Sequence, residues 1–92
     1  MNIEEFADIL GVNLIITRYA NQGGRYTAKF DGVEVKRDKH DVILCGLYGK
    51  SKSSHEAVAD YVENIRGKWL VINAYQKEKR REFGVPDTLT VF

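Results

Sequence analysis

Two side chains invite a nucleophilic reading. Cys45 is the one thiol of the chain, and His40 is the nearest base to it in sequence. A thiolate nucleophile needs its base within hydrogen-bond reach and a third group to orient that base. A separation of five positions along one extended strand, from His40 to Cys45, would put the two on opposite faces. Cys45 therefore reads as a buried strand residue packing as a small apolar group, and His40 as a loop residue. His40, Asp38 and Asp41 share one turn, with no second ligand cluster at a familiar spacing, so neither a metal site nor a cofactor is expected. The stretch Gly46-Leu47-Tyr48-Gly49-Lys50-Ser51-Lys52-Ser53 carries the residue types of a phosphate loop. A Walker-type loop needs two glycines flanking four residues and then Lys-Ser or Lys-Thr, whereas Gly46 and Gly49 flank only two. Gly49 then serves a tight strand-to-helix turn, and Ser53 caps the helix that follows. Lys77, Lys79, Arg80 and Arg81 form the densest basic cluster; four cations less the two carboxylates Glu78 and Glu82 leave +2, the pattern of a solvated surface. With each motif absorbed structurally, a non-catalytic protein is expected.

The elements that must position these residues follow from periodicity. Ile3, Phe6, Ala7 and Leu10 repeat at helical spacing, with Asn2 and Glu5 as a reciprocal cap and Gly11 as a stop, which predicts a short helix over residues 3–10. Residues 13–20 are rich in β-branched side chains and lead into Asn21-Gln22-Gly23-Gly24, a hairpin turn. Tyr26, Ala28 and Phe30 alternate with Arg25, Thr27 and Lys29, and Asp31-Gly32 suits a tight turn into a strand holding Val33 and Val35, or else a bulge in one bent strand. Residues 42–48, almost all apolar, predict a buried strand ending at Gly49. Ser53 and Glu56 form a capping box for an amphipathic helix over residues 54–66, whose apolar stripe is Ala57, Val58, Tyr61, Val62 and Ile65. Residues 69–75 predict a further strand, residues 76–82 a charged connection, and residues 88–92 an edge strand. The resulting fold class is α+β: a short N-terminal helix, a three- or four-stranded antiparallel sheet, an amphipathic helix and a further strand, with the helices on one face.

Ninety-two residues suffice for one domain, residues 1–92, and not for two cores. A hydrophobic share of 43% and a charged share of 29% are those of a folded domain. The formal charge of +1 gives no global field that favours nucleic acid or anionic lipid. A lone cysteine, the absence of an apolar leader after Met1 and the lack of an apolar run near the length of a membrane span point to a cytoplasmic protein with no membrane partner.

Helix, three strands and helix, with Gly46, Gly49, Lys50, Ser51 and Lys52 leading into the second helix and Ala57 and Ala59 on it, is an order similar to that of double-stranded RNA-binding domains. That resemblance covers about residues 1–66 and implies recognition of A-form shape and phosphates through lysines at the start of the second helix. Lys50 and Lys52 fit it; Glu56 and Asp60 depart from it, since an acidic first turn repels phosphate. The segments 48–61 (Tyr48-Gly49-Lys50 through Asp60-Tyr61), 65–74 (Ile65-Arg66-Gly67-Lys68-Trp69 through Ala74) and 80–86 (Arg80-Arg81-Glu82-Phe83-Gly84-Val85-Pro86) resemble small uncharacterised proteins of phages and prophages of Gram-positive bacteria, over about half the chain. This resemblance implies a viral accessory role in the host bacterial cytoplasm. Binding to a host protein or complex, inhibitors of host defence among such roles, is the first expectation, and a nucleic-acid-binding module is the alternative.

A partner surface is expected on the polar elements around Arg37 and Lys39 and around Lys77, Lys79, Arg80 and Arg81, with Tyr48, Tyr75 and Phe83 as aromatic anchors. The alternative for Tyr48 and Tyr75 is a place in the core at strand ends. In the nucleic-acid reading Lys50 and Lys52 join the cations. The apolar edge at residues 88–92 would expose unpaired backbone to a second copy and support a homodimer, or else pair within its own sheet.

Overall fold

The computed structural model describes residues 1–92, the side chain of Gln22 excepted. The chain is α+β, with two helices and six strands: α1 (Ile3–Leu10), β1 (Leu14–Tyr19), β2 (Arg25–Phe30), β3 (Val33–Lys36), β4 (Gly49–Ser51), α2 (Ser54–Ile65), β5 (Trp69–Ile72) and β6 (Arg81–Gly84). The strands form two antiparallel three-stranded sheets, ordered β1-β2-β4 and β3-β5-β6. No helix among the described residues is long and apolar enough to cross a membrane.

Helix α1 starts and stops where the sequence predicts, and α2 starts where predicted but ends one residue early. The Asn2 side chain accepts from the Glu5 N–H (2.8 Å) and the Glu5 carboxylate accepts from the Asn2 N–H (3.0 Å), so the α1 capping box is complete. At α2 only half of the box forms. Ser53 Oγ accepts from the Glu56 N–H (3.1 Å), but the Glu56 carboxylate accepts instead from Ser51 Oγ (2.8 Å). The helix ends at Ile65, with Arg66 as its cap.

The Asp31-Gly32 pair does not close a hairpin. A type I′ hairpin turn needs positive φ at both central residues, and only Gly32 has it (φ 70°). The Asp31 N–H donates to Asn13 O (2.8 Å) and so still extends the β1–β2 ladder. The pair is therefore a corner. Past it, Val33 leaves the first sheet and pairs with Ile72 of β5. Ala28, Phe30, Val33 and Val35 on either side of the corner all point into one core.

The predicted strand at residues 42–48 is not formed. This stretch crosses between the sheets and touches the free edge of β3 once, where Cys45 and Val35 exchange backbone hydrogen bonds (2.7 and 2.8 Å). Val42 and Ile43 stand 89% and 68% exposed, and Cys45 is exposed too. Apolar composition points to burial here, but only Leu47 packs against the core, and a single β-bridge ties the segment to a sheet. The structure corrects the charged connection in the opposite direction: its last two residues, Arg81 and Glu82, open β6, which pairs with β5. Its Glu82 forms an ion pair with Lys36, whose ammonium is buried and also donates to Lys39 O (2.7 Å). The predicted edge strand at residues 88–92 reduces to one parallel bridge to the N-terminus: the Ile3 N–H donates to Thr90 O (2.8 Å) and the Thr90 N–H to Met1 O (3.1 Å). Leu89 beside it is fully buried, so this segment belongs to the chain's own core.

Tyr61 is the centre of that core. Its ring meets Phe30 edge-on at 5.4 Å, and Phe6 packs on the same phenyl ring at 6.3 Å. Gly49 of β4 lies so close to α2 that a Cβ would overlap Ala57 O and the Tyr61 backbone nitrogen. The absent side chain lets the short strand lie directly on the helix.

Candidate functional site

The register of the first sheet sorts its residues onto two faces. Ile15 lies opposite Lys29, Thr17 opposite Thr27, and Tyr19 opposite Arg25, while Thr27 lies opposite Lys50 on its other side. Opposed residues share a face, so these seven lie together. The alternate residues, including Ala28, Phe30 and Gly49, face α2. The outer face is open: Ile15, Tyr19, Arg25, Lys29 and Lys50 are exposed and Thr27 is partly buried. On it, Tyr19, Arg25, Thr27, Lys29, Tyr48 and Lys50 line a shallow hollow of about 460 Å³. Tyr48, just before β4, closes one end, and Tyr19, the last residue of β1, closes the other.

Helix α2 fixes the β4 side of this hollow. The Lys50 N–H donates to the Asp60 carboxylate (2.9 Å), and the Tyr48 carbonyl accepts from Asn64 Nδ2 (3.1 Å). With Glu56 on Ser51 Oγ, three α2 side chains hold the backbone and side chains around β4 in place. Two carboxylates that sequence places against the phosphate-binding reading are thus engaged with β4. Glu56 does border the neighbouring hollow of about 310 Å³, shared with Arg25, Lys50, Ser51 and Lys52.

The charge of the open face is one-sided. Three cations and no carboxylate line the larger hollow. The ion pairs among the described residues are Lys36–Glu82, Arg66–Glu63 and Arg80–Glu82, and none uses Arg25, Lys29, Lys50 or Lys52. Like charges on adjacent strands repel, so the arrangement favours an anion that can lie among them. Two tyrosines, 41% and 47% exposed, flank the cations.

Of the residues expected to form a partner surface, Tyr48 and Lys50 are brought into this face and Lys52 lies beside it. The others are elsewhere. Arg37 lines a separate cleft with Cys45 and Leu47, and the Lys39 ammonium lies 5.7 Å from the Trp69 ring centroid. Lys77 and Lys79 sit in the β5–β6 connection. Arg80 is paired with Glu82 (3.2 Å), and Arg81 donates to Leu10 O (3.1 Å) and lies over the Phe83 ring. Phe83 itself packs against the core, and Tyr75 is 86% exposed rather than a core residue. Sequence reasoning missed Tyr19, Arg25, Thr27 and Lys29. The signal was the alternation of Arg25, Thr27 and Lys29 with Tyr26, Ala28 and Phe30, which already sets a basic face opposite an apolar one.

Two groups have displaced acidities, and both lie outside this face. Burial pushes the Tyr61 phenol up to about 12, against the smaller opposing effect of its hydrogen bond with the Phe30 N–H. The hydrogen bond from Lys36 holds the Glu82 carboxyl below the ordinary range, with the charges of Lys36 and Arg80 adding to it and desolvation opposing. Comparison with protein-family models, curated proteins and solved structures finds no match to this chain.

Proposed function

We propose that this chain is a non-catalytic binding module and that the open face of the β1-β2-β4 sheet receives the phosphate backbone of a nucleic acid. The observation that carries the reading is the grouping of Arg25, Lys29 and Lys50, none in an ion pair, between two half-exposed tyrosines in a hollow lined by no carboxylate. Phosphate contacts supply the sequence-independent part of nucleic-acid affinity, and they do so by releasing counterions. Three such contacts on a single strand correspond to a slope of log affinity against log salt of roughly −2, or about a 20-fold loss between 50 and 200 mM salt. Fluorescence anisotropy with labelled oligonucleotides measures this directly. The Lys29→Gln, Lys50→Gln double variant should bind more weakly and lower the slope by about 1.4. Absence of binding to every nucleic acid at about 50 mM salt, where electrostatic contacts are strong, refutes the reading.

A second reading, docking onto a host protein in a viral accessory role, is favoured by the exposed Val42, Ile43 and Tyr75. Large apolar groups held in water are suited to anchoring a partner. Affinity capture from a Gram-positive host lysate, repeated with Val42→Asp, Ile43→Asp, tests it: a partner retained by wild type and lost by the variant supports it, and identical recovery by both rejects it.

A further inference from the structure

Building on the nucleic-acid reading of the same face, we infer that its ligand is a single strand, RNA or DNA, whose bases stack on Tyr19 and Tyr48 while Arg25, Lys29 and Lys50 hold the phosphates between them. The geometry separates this from duplex binding. Reading the bases of a B-form duplex requires an element that enters a groove, and the major groove, about 12 Å wide, admits an α-helix or a two-stranded ribbon. The open face is instead the broad side of three strands, and the helix of this sheet lies on the opposite side.

An unpaired strand offers what this face is shaped to take. Its bases expose their π-faces, and aromatic side chains on a sheet bind them with little regard to sequence. Tyr19 lies opposite Arg25, and Tyr48 shares the hollow with Lys29 and Lys50, so each ring has a cation beside it for the adjoining phosphate. Strand spacings put Tyr19 roughly 12 Å from Lys50, across β2, and Tyr48 lines the same hollow from the segment before β4, which leaves the cations between the two rings. The platform is also preorganised at its Tyr48 end, where Asn64 holds the carbonyl of that residue and Asp60 the N–H of Lys50.

The test compares fluorescein-labelled single strands of about ten nucleotides, oligo-U and oligo-dT, with RNA and DNA duplexes of about 16 base pairs, the length a double-stranded RNA-binding domain spans. The full chain is titrated at about 50 mM salt, where phosphate contacts are strong. Single strands should bind more tightly than either duplex. Tyr19→Ala and Tyr48→Ala should each weaken single-strand binding roughly 5- to 150-fold, the range for loss of one stacked base. Tyr19→Phe and Tyr48→Phe, which keep the ring, should stay within about 2-fold of wild type, as stacking needs the π-face rather than the hydroxyl. Lys77→Gln, Lys79→Gln, away from the face, should change nothing, and thermal melts confirm that each variant is folded. Preference for RNA or DNA between the two single strands identifies the source. Duplex binding as tight as single-strand binding, or alanine variants that bind like wild type, overturns this inference and leaves the cationic-face reading standing. No binding to any of the four overturns both.

Discussion

Replacing Tyr61 with Phe removes one oxygen from the middle of the core, and the register fixes the cost. The β2 residues that pair with β4 in hydrogen-bonded alternation are Tyr26, opposite Ser51, and Ala28, opposite Gly49; Phe30 is next in that series. Strand β4 does not reach it, because the chain before Gly49 has left the sheet. The Phe30 N–H donates instead to Tyr61 Oη (3.1 Å), so a helix side chain stands in for the missing strand. In Tyr61→Phe the ring and its edge-on contact with Phe30 remain, so little cavity opens, but a fully buried N–H loses its acceptor. That desolvation penalty is about 1–3 kcal/mol. A second signature comes from pH. The folded-state phenol is raised to about 12 from 10.0, so the folded chain keeps its proton where the unfolded chain loses it. The associated stability is fully present below pH 10 and is lost as pH rises towards 12, by roughly 3 kcal/mol at about 1.4 per unit. Urea unfolding followed by Trp69 fluorescence, on wild type and variant from pH 7 to 12, measures both. The wild-type advantage should be about 1–3 kcal/mol at neutral pH and shrink above pH 10. A variant as stable as wild type at pH 7, or a difference between the two that stays flat through pH 10–12, would refute the argument.

Gly49→Ala must push β4 off α2, since the new Cβ meets helix backbone rather than a flexible side chain; a loss of about 3 kcal/mol, at the upper end for overpacking, is expected in urea unfolding, along with weaker oligonucleotide binding through displaced Tyr48 and Lys50. Leu89→Ala should cost about 2–5 kcal/mol, measured by the same unfolding curve, because Leu89 is fully buried and the C-terminal segment is part of the core. For Glu82, a depressed folded-state carboxyl means stability that is present above the ordinary carboxyl range and is lost as pH falls through the folded value. Glu82→Gln should therefore lower the melting temperature at pH 7 and flatten its dependence between pH 5 and 3, read by circular dichroism.

What was legible in the sequence was local. The Asn2–Glu5 box, Ser53 at the start of α2 and the apolar stripe from Ala57 to Ile65 each need only neighbours within one or two turns of helix, and each is found where predicted. The α+β class followed from the same elements. What failed was non-local. Asp31-Gly32 has the composition of a hairpin turn, yet the hydrogen bond from Asp31 to Asn13 makes it a corner, and that bond depends on a strand an earlier turn has folded back. Residues 42–48 read as a strand and Arg81 and Glu82 as a connection, the reverse of the structure, for one reason: whether a stretch is a strand depends on a free edge to receive it, which composition does not report. The candidate site divided along the same line. Tyr48, Lys50 and Lys52 are close in sequence and were singled out, whereas Tyr19, Arg25 and Lys29 join them only through the β1–β2–β4 register.

The corner at Gly32 also accounts for the open face. Had β3 returned beside β2, it would have occupied the place that β4 takes, and Tyr48 and Lys50 would not lie next to Lys29 and Arg25. By leaving for a second sheet, β3 gives that place to β4. The same route explains how a chain of formal charge +1 carries a one-sided basic surface. Carboxylates are not scarce, but those near the sheet are turned to other tasks: Asp60 accepts from the Lys50 backbone, Glu56 from Ser51 Oγ, and Glu82 serves Lys36 and Arg80 in the other sheet. Neutralising Asp60 as Asn would keep an acceptor for the Lys50 N–H while removing its charge, whereas alanine would remove both. If the hydrogen bond matters because it holds β4, Asp60→Asn should bind oligonucleotides at least as tightly as wild type and Asp60→Ala more weakly, a contrast that charge alone cannot produce.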